Sequence, residues 1–214
     1  PKPLMPVAGR PCIEYVIRSL VSSGFQEIIT TTAYLSDTLI KSIGDGVDYN
    51  ASILYSFEAN PAGTAGAVRR VATFIDDTFV VAMGDILADV DFRALYDFHK
   101  RKGGVVTIAL TEVDDPTQYG IVGLDAKNRI VKFKEKPPRD QAFSRLANAG
   151  IYVCEPDILD FIPPDQKFDF SKDLFPKLLS KGLALYGQRL EGVWMDIGRP
   201  HDVWKASMEV VRRE

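Results

Sequence analysis

Asp85 and Asp196 carry the same punctuation. Each follows a short apolar run and has glycine close by, in Phe79 to Asp91 (FVVAMGDILADVD, with Gly84 before Asp85) and in Trp194-Met195-Asp196-Ile197-Gly198. An acid at the end of a buried strand offers hard oxygen donors, and in an open α/β sheet ligands collect beyond the carboxyl ends of the strands. Two such carboxylates converging on one Mg²⁺ would hold a triphosphate, because the ion keeps waters and takes phosphate oxygens for the rest of its shell. Gly84 would let that ligand approach the backbone closely. Either aspartate could equally cap a turn or a helix, with Trp194 as core.

Other groups could serve the same ligand. Glu58 ends one predicted strand, and Gly63-Thr64-Ala65-Gly66-Ala67 follows it, small residues whose backbone N–H groups could meet an anion or a base edge. The same residues would also let a helix pack close to a sheet, and a glutamate at a strand end is commonly solvated. In Phe133-Lys134-Glu135-Lys136-Pro137-Pro138, Glu135 could accept sugar hydroxyls while Lys136 meets a phosphate. Alternating charge there could instead protect a sheet edge. Lys2, between Pro1 and Pro3, has a restricted backbone that would hold its ammonium in place, or it is an ordinary loop lysine. His99 and His201 lie near neither a GxSxG nor a second histidine and read as structural, and no GxxxxGK[ST] is present.

The elements that must position these residues alternate. Ile13, Val16, Ile17, Leu20 and Val21 recur at helical spacing between Pro11 and Gly24. A strand over Glu27–Thr32, a helix over Tyr34–Ile43 and a strand over Ser52–Phe57 follow. A helix carries Ala67, Val68, Val71 and Phe74 to its apolar side. Phe79–Met83 is apolar throughout and reads as a strand buried on both faces. Phe92, Leu95, Tyr96 and His99 share one face of a helix over Asp91–Lys102. Beyond it come a strand at Val105–Leu110, a hairpin of Tyr119–Leu124 and Arg129–Lys134, and a strand at Ala147–Cys154. Helices near Pro156–Phe161 and Ser171–Lys181, a strand at Ala184–Gln188 and a helix after Pro200 complete the pattern. Strand and helix alternating at these lengths predict a largely parallel sheet covered on both sides. We expect one domain over residues 1–214, with a site that straddles its two halves.

Composition narrows the class. A chain of 214 residues with 46% apolar and 26% charged residues is ordinary for a globular enzyme. A net charge of −3 gives no electrostatic footprint for nucleic acid or anionic lipid. No run of about 18 apolar residues suggests a membrane span. Cys12 and Cys154 sit in apolar settings without CxxC, which fits buried thiols in a reducing cytoplasm.

Taken together, PKPLMPVAGRPCIEYVI, PAGTAGAV, MGDIL, YGIVGLD…RIVKFKEKP, NAGIYV, FSKDLFPKLL and WMDIGRP resemble, in order and interval, the sugar-1-phosphate nucleotidyltransferases, also called nucleotide-sugar pyrophosphorylases. The likeness covers essentially the whole chain. It implies a Rossmann-like three-layer αβα fold with a mixed, mainly parallel sheet, and the reaction of an NTP with a hexose 1-phosphate to give an NDP-sugar and pyrophosphate with Mg²⁺. By this likeness Asp85 and Asp196 match the metal-binding acids, and Lys2 matches a lysine that contacts the phosphates. Glu58, Gly63 and Thr64, with Gly84, fall at the nucleotide. Gly120, Glu135, Lys136, Asn148 and Gly150 fall where the family holds the sugar phosphate. The family begins with a strand and a glycine-rich GxGTRL loop, and this sequence starts after the point where that loop would end. The first strand and that phosphate clamp are therefore expected to be lacking, as is a C-terminal left-handed β-helix. The resemblance leaves homo-oligomerisation open.

The base is read from chemistry. An ionised Glu58 is a pure acceptor, and guanine presents N1–H and N2–H₂ together, whereas uracil and thymine present one donor beside acceptors. This favours GTP and mannose 1-phosphate over glucose 1-phosphate with UTP or dTTP. A catalytically silent homologue that binds nucleotide sugars is the alternative role. A glycosyltransferase would be expected to show a DxD-type pair, which Asp85-Ile86-Leu87 does not supply.

Overall fold

The computed structural model describes residues 1–33 and 35–213; Tyr34, where the second helix was expected to start, lies outside the described residues. In chain order the elements are β1 (Pro6–Val7), β2 (Arg10–Pro11), α1 (Cys12–Ser22), β3 (Glu27–Thr32), α2 (Ser36–Ile43), β4 (Ser52–Phe57), α3 (Thr64–Arg70), β5 (Phe79–Ala82), β6 (Ile86–Ala88) and α4 (Phe92–Lys102). They continue with β7 (Val106–Glu112), β8 (Gly120–Leu124), β9 (Ile130–Glu135), β10 (Leu146–Cys154), α5 (Phe175–Ser180), β11 (Leu185–Arg189), β12 (Trp194–Asp196) and α6 (Pro200–Arg213). They form two compact units, one of Pro1–Ala59, Ala82–Arg93 and the chain from Glu191 on, the other of Asn60–Val81 and Ala94–Leu190.

In the first unit β3 and β4 pair in parallel, and the helical stripe read from the sequence does its work, with Ile13 and Ile17 of α1 packed with Leu39, Ile43 and Ile53. A second cluster gathers Val7, Cys12, Leu87, Ile197 and Ala206, and it lies directly beneath the acid-bearing segments. The sequence did not foretell β6 and β12, which pair antiparallel with Asp196 opposite Ile86. Strands of three residues are too short to show a period of two.

In the second unit six strands form one sheet in the order β11-β7-β10-β8-β9, with β5 also on β10. Its centre is fully buried at Val106, Ile108, Leu110, Ile121, Ala147 and Val153, each of which keeps apolar surface from water. Pairing is mixed as expected, with a larger antiparallel share than simple alternation predicts, because β8, β9 and β10 meander with β10 antiparallel to both β7 and β8. β3 with β4 and β7 with β11 pair in parallel. β5 is half-buried along its length rather than buried on both faces, since its described partner is β10 alone.

His99 is structural. It is completely buried on α4, with Nδ1 2.9 Å from the Thr107 hydroxyl and Nε2 3.1 Å from Glu155. Burial lowers its proton affinity, against the hydrogen bond and charge of Glu155, which favour the proton. A folded pKa below the unfolded value means that the unfolded chain takes the proton first. Stability from His99 is therefore complete above the ordinary value of 6.5 and is lost as pH falls through and below it. Melting temperatures at about pH 7.5 and about pH 5.5 should show a fall that is smaller in His99→Gln, because the imidazole is the group that titrates in this window. Equal falls in the two proteins would remove His99 from the account.

Candidate active site

The two acids are neighbours in the first unit. Asp196 closes β12 opposite Ile86, and one step on the Ile197 N–H donates to the Asp85 carbonyl at 2.9 Å, so the ribbon holds both residues at one end. Cys12, buried at the foot of this corner, senses both: burial first, and then the negative charges of Asp85 and Asp196, push its thiol up to about 12. Gly84 packs tightly here, since a β-carbon on it would lie 3.3 Å from Ile13 and 3.6 Å from the Pro3 ring. Pro3 belongs to a single helical turn over Lys2–Leu4, closed by the Met5 N–H on the Lys2 carbonyl at 2.9 Å. Lys2, Gly84, Asp85 and Asp196 thus form one corner of one unit. Among the described residues no third histidine, cysteine, aspartate or glutamate joins them into a larger ligand set. Two carboxylates with room for water and phosphate oxygens fit a Mg²⁺ that is shared with a substrate, rather than an ion fully enclosed by protein.

A second cluster lies in the other unit. Asn148 is aimed by an irregularity in β10, where the register against β7 jumps between Asn148 and Tyr152, and Gly150 takes a φ of +75° within it. The Gly150 N–H donates back to Asn148 Oδ1 at 2.9 Å, while Asn148 Nδ2 donates to the Tyr152 hydroxyl and to Ser171 Oγ, both at 2.9 Å. Gly120, opposite Glu135 in the β8–β9 ladder, is there for space: a β-carbon would come within 2.6 Å of Glu135 Oε2. Lys136 has a φ of +40°, a left-handed conformation that a residue before proline rarely takes, and its N–H donates to the Tyr119 carbonyl at 3.0 Å. Burial raises the proton affinity of Glu135, the charges of Lys136 and Lys172 oppose this, and that of Asp169 adds to it. Burial also pushes the Tyr152 phenol up, so its hydroxyl stays neutral.

Asp169, Ser171 and Lys172 therefore stand with Glu135, Lys136 and Asn148, and sequence reasoning missed all three. They lie in FDFSKDLFP, whose helical turn is widened: residues Phe170–Leu174 form a π turn before α5. Pro176 gives the physical cause, because it has no N–H for the Lys172 carbonyl four residues back and its ring would crowd that oxygen. A proline seven residues after an aromatic-flanked aspartate was the available signal.

The expected nucleotide residues divide between the units. Glu58 directly follows β4 in the first unit and is 5% exposed, not solvated. Gly63 and Thr64 open α3 in the second. The N–H groups expected to face a ligand there are already used: those of Ala65 and Gly66 both donate to the Phe168 carbonyl at 2.9 Å. The Thr64 hydroxyl donates to Asp169 Oδ1 at 3.3 Å and accepts from the Phe170 N–H at 3.0 Å. Close packing against residues 168–170 is thus what these small residues visibly accomplish.

Comparison with known proteins identifies the family. The family model described as nucleotidyl transferase matches residues 1–213. The chain is 36% identical over 228 residues to UTP–glucose-1-phosphate uridylyltransferase of Synechocystis, covering 100% of this chain and 59% of that protein. It is 35% identical over 217 residues to mannose-1-phosphate guanylyltransferase of Mycobacterium tuberculosis, covering 99% and 59%. The chain thus spans about three-fifths of the length of these curated relatives. Among solved structures it resembles HddC from Yersinia pseudotuberculosis complexed with GMP-PN, with a TM-score of 0.83 and 26% identity over 98% of this chain and 90% of that one. The α/β fold is the Rossmann-like one of such enzymes. With a match running from its first residue to residue 213, this chain belongs to the nucleotidyl transferase family.

Proposed function

We propose that the protein transfers a nucleotidyl group from an NTP to a hexose 1-phosphate, giving an NDP-sugar and pyrophosphate. The observation that carries this reading is the acid pair Asp85 and Asp196, fixed on one ribbon beside the Lys2 turn in a chain of this family. In the reaction an oxygen of the sugar phosphate forms a bond to the α-phosphorus, the bond from that phosphorus to the bridging oxygen breaks, and pyrophosphate leaves. The nucleophile is already an anion, so positioning and charge neutralisation suffice and no histidine base is needed. Asp85 and Asp196 would hold Mg²⁺, which when bound draws negative charge from the phosphates. Lys2 would add a fixed ammonium to the triphosphate. Glu135 would accept sugar hydroxyls, Lys136 would meet the sugar phosphate, and Asn148 would use the acceptor capacity left on Oδ1.

The base is assigned to guanine and the sugar to mannose. Identities of 36% to a uridylyltransferase and 35% to a guanylyltransferase do not separate the candidates, so the choice rests on Glu58. A carboxylate accepts hydrogen bonds and donates none, which suits the paired donors of guanine. The related HddC, solved with GMP-PN, is in keeping with this choice. The test is pyrophosphate release with Mg²⁺ by the full-length protein across four NTPs, each with mannose 1-phosphate and glucose 1-phosphate. GTP with mannose 1-phosphate should give the highest kcat/KM, and Glu58→Gln should move the GTP to UTP ratio toward UTP by about tenfold. A ratio unmoved by Glu58→Gln would sink the base assignment, and silence with every pair would sink the enzyme.

A further inference from the structure

We infer that Lys172 is a second phosphate-binding cation of the hexose 1-phosphate site, presented by the π turn of residues 170–174; this rests on the reaction proposed above. The turn is held at both ends by buried rings. Phe170 lies 4.9 Å and Phe175 5.0 Å, centroid to centroid, from Tyr152 on β10, and Phe175 also meets Phe133 on β9 at 5.6 Å. Between these anchors Ser171 Oγ is bonded to Asn148 Nδ2 at 2.9 Å, so the residue that follows it is fixed beside the asparagine whatever its side chain does. π turns carry one residue more than the α-helical repeat and tend to occur at functional sites. Here Pro176 supplies the cause of the widening.

Availability sets Lys172 apart from its neighbours. Lys177, five residues on, donates to the Phe161 carbonyl at 2.8 Å, and Lys134 is engaged with Gln141. Lys172 is exposed and its ammonium has no hydrogen bond or ion pair among the described residues, while its charge is felt by Glu135 second only to that of Lys136. Charge balance supplies the reason for a second cation. Of the charges felt at Glu135, that of Asp169 is negative and those of Lys136 and Lys172 are positive; with Glu135 itself, Asp169 and Lys136 alone would face a phosphate dianion with one net negative charge, and Lys172 brings these four side chains to neutrality. The carboxylates can then take hydroxyls while the two ammonium groups take phosphate oxygens, each as a charge-assisted bond.

The test uses the full-length protein, Lys172→Met and Lys172→Arg. Binding of mannose 1-phosphate and of glucose 1-phosphate is measured by calorimetry with a non-reactive NTP analogue and Mg²⁺, together with KM for each substrate and the melting temperature. Lys172→Met should raise both Kd and KM for the hexose 1-phosphate by about tenfold or more, while KM for the NTP stays within about twofold and melting is unchanged. Lys172→Arg should recover most of the loss. A fall in melting temperature without a change in hexose 1-phosphate binding would assign Lys172 to the fold and overturn the inference. Turnover with unchanged Kd and KM in Lys172→Met would overturn it alone. A wild type that releases no pyrophosphate yet binds hexose 1-phosphate through Lys172 would overturn the reaction and keep the inference, and a wild type that binds neither sugar phosphate would overturn both.

Discussion

Asp85→Asn and Asp196→Asn should each lower kcat/KM for pyrophosphate release by roughly 100- to 1,000-fold, the cost of losing one preorganised charge stabiliser, about 3 kcal/mol. The amide keeps the shape of the side chain and removes the charge. The ribbon that carries both residues is built from backbone groups, as in the bond from the Ile197 N–H to the Asp85 carbonyl, so the ladder survives in either variant. Melting should therefore stay close to the parent's. It could even rise slightly, because the two like charges no longer repel each other across the corner. The double variant should be little worse than the poorer single one, since groups that act as a unit on one ion do not contribute additively. Raising Mg²⁺ should recover part of the activity of each single variant by mass action and none of the double variant's. Near-normal kcat/KM in either single variant would leave that aspartate as a cap on its turn, and activity lost in proportion to lost folded protein would say the same.

How much of this was legible beforehand depended on range. The stripe of Ile13, Val16 and Ile17 announces α1 because a helix repeats every 3.6 residues, and continuous apolarity announces β7 and the core of β10. The acid pair was found by its punctuation, although the strands that bring it together were not, since three residues cannot show a period. Geometry made by contacts across the sequence stayed hidden. The jump in register that aims Asn148 depends on Gly150 taking a positive φ against β7, some forty residues earlier in the chain. The N–H groups of Ala65 and Gly66 looked free for a ligand because nothing local reveals that the Phe168 carbonyl claims them both. The burial of Glu58, which tells against the alternative of a solvated strand end, was hidden for a similar reason: it is made by surroundings that its own segment does not encode. Asp169 and Lys172 were missed because a turn widened by Pro176 breaks the helical spacing on which a face is counted.

Gly63→Ala should destabilise the protein by about 3–5 kcal/mol, well beyond the usual cost of one added methyl group. Gly63 has φ +78° and ψ 169°, a region open to glycine and strained for any residue with a β-carbon. The added carbon would also meet backbone: it would lie 2.6 Å from the Phe168 carbonyl oxygen and 2.9 Å from the Phe168 carbonyl carbon and nitrogen. That wall is fixed from both sides, because the Phe168 N–H donates to the Ala62 carbonyl at 2.8 Å while its oxygen accepts from Ala65 and Gly66. Moving it would break these bonds and loosen the Thr64 clasp on Asp169 and Phe170, next to Ser171 and Lys172. The expected drop in melting temperature is about 6–20 °C for a chain of this size. Hexose 1-phosphate binding in the folded fraction should weaken along with NTP binding. Gly66→Ala, whose β-carbon would come no nearer than 3.1 Å to its neighbours, should cost much less. The pair separates packing from ligand contact at this loop: alanine keeps the backbone N–H, so a Gly63 that served only the nucleotide would give a variant with parental melting and a raised KM for the NTP. That outcome would transfer Gly63 from the packing of α3 to the substrate, and a steep loss of melting temperature confined to Gly63→Ala would keep it where the Phe168 backbone holds it.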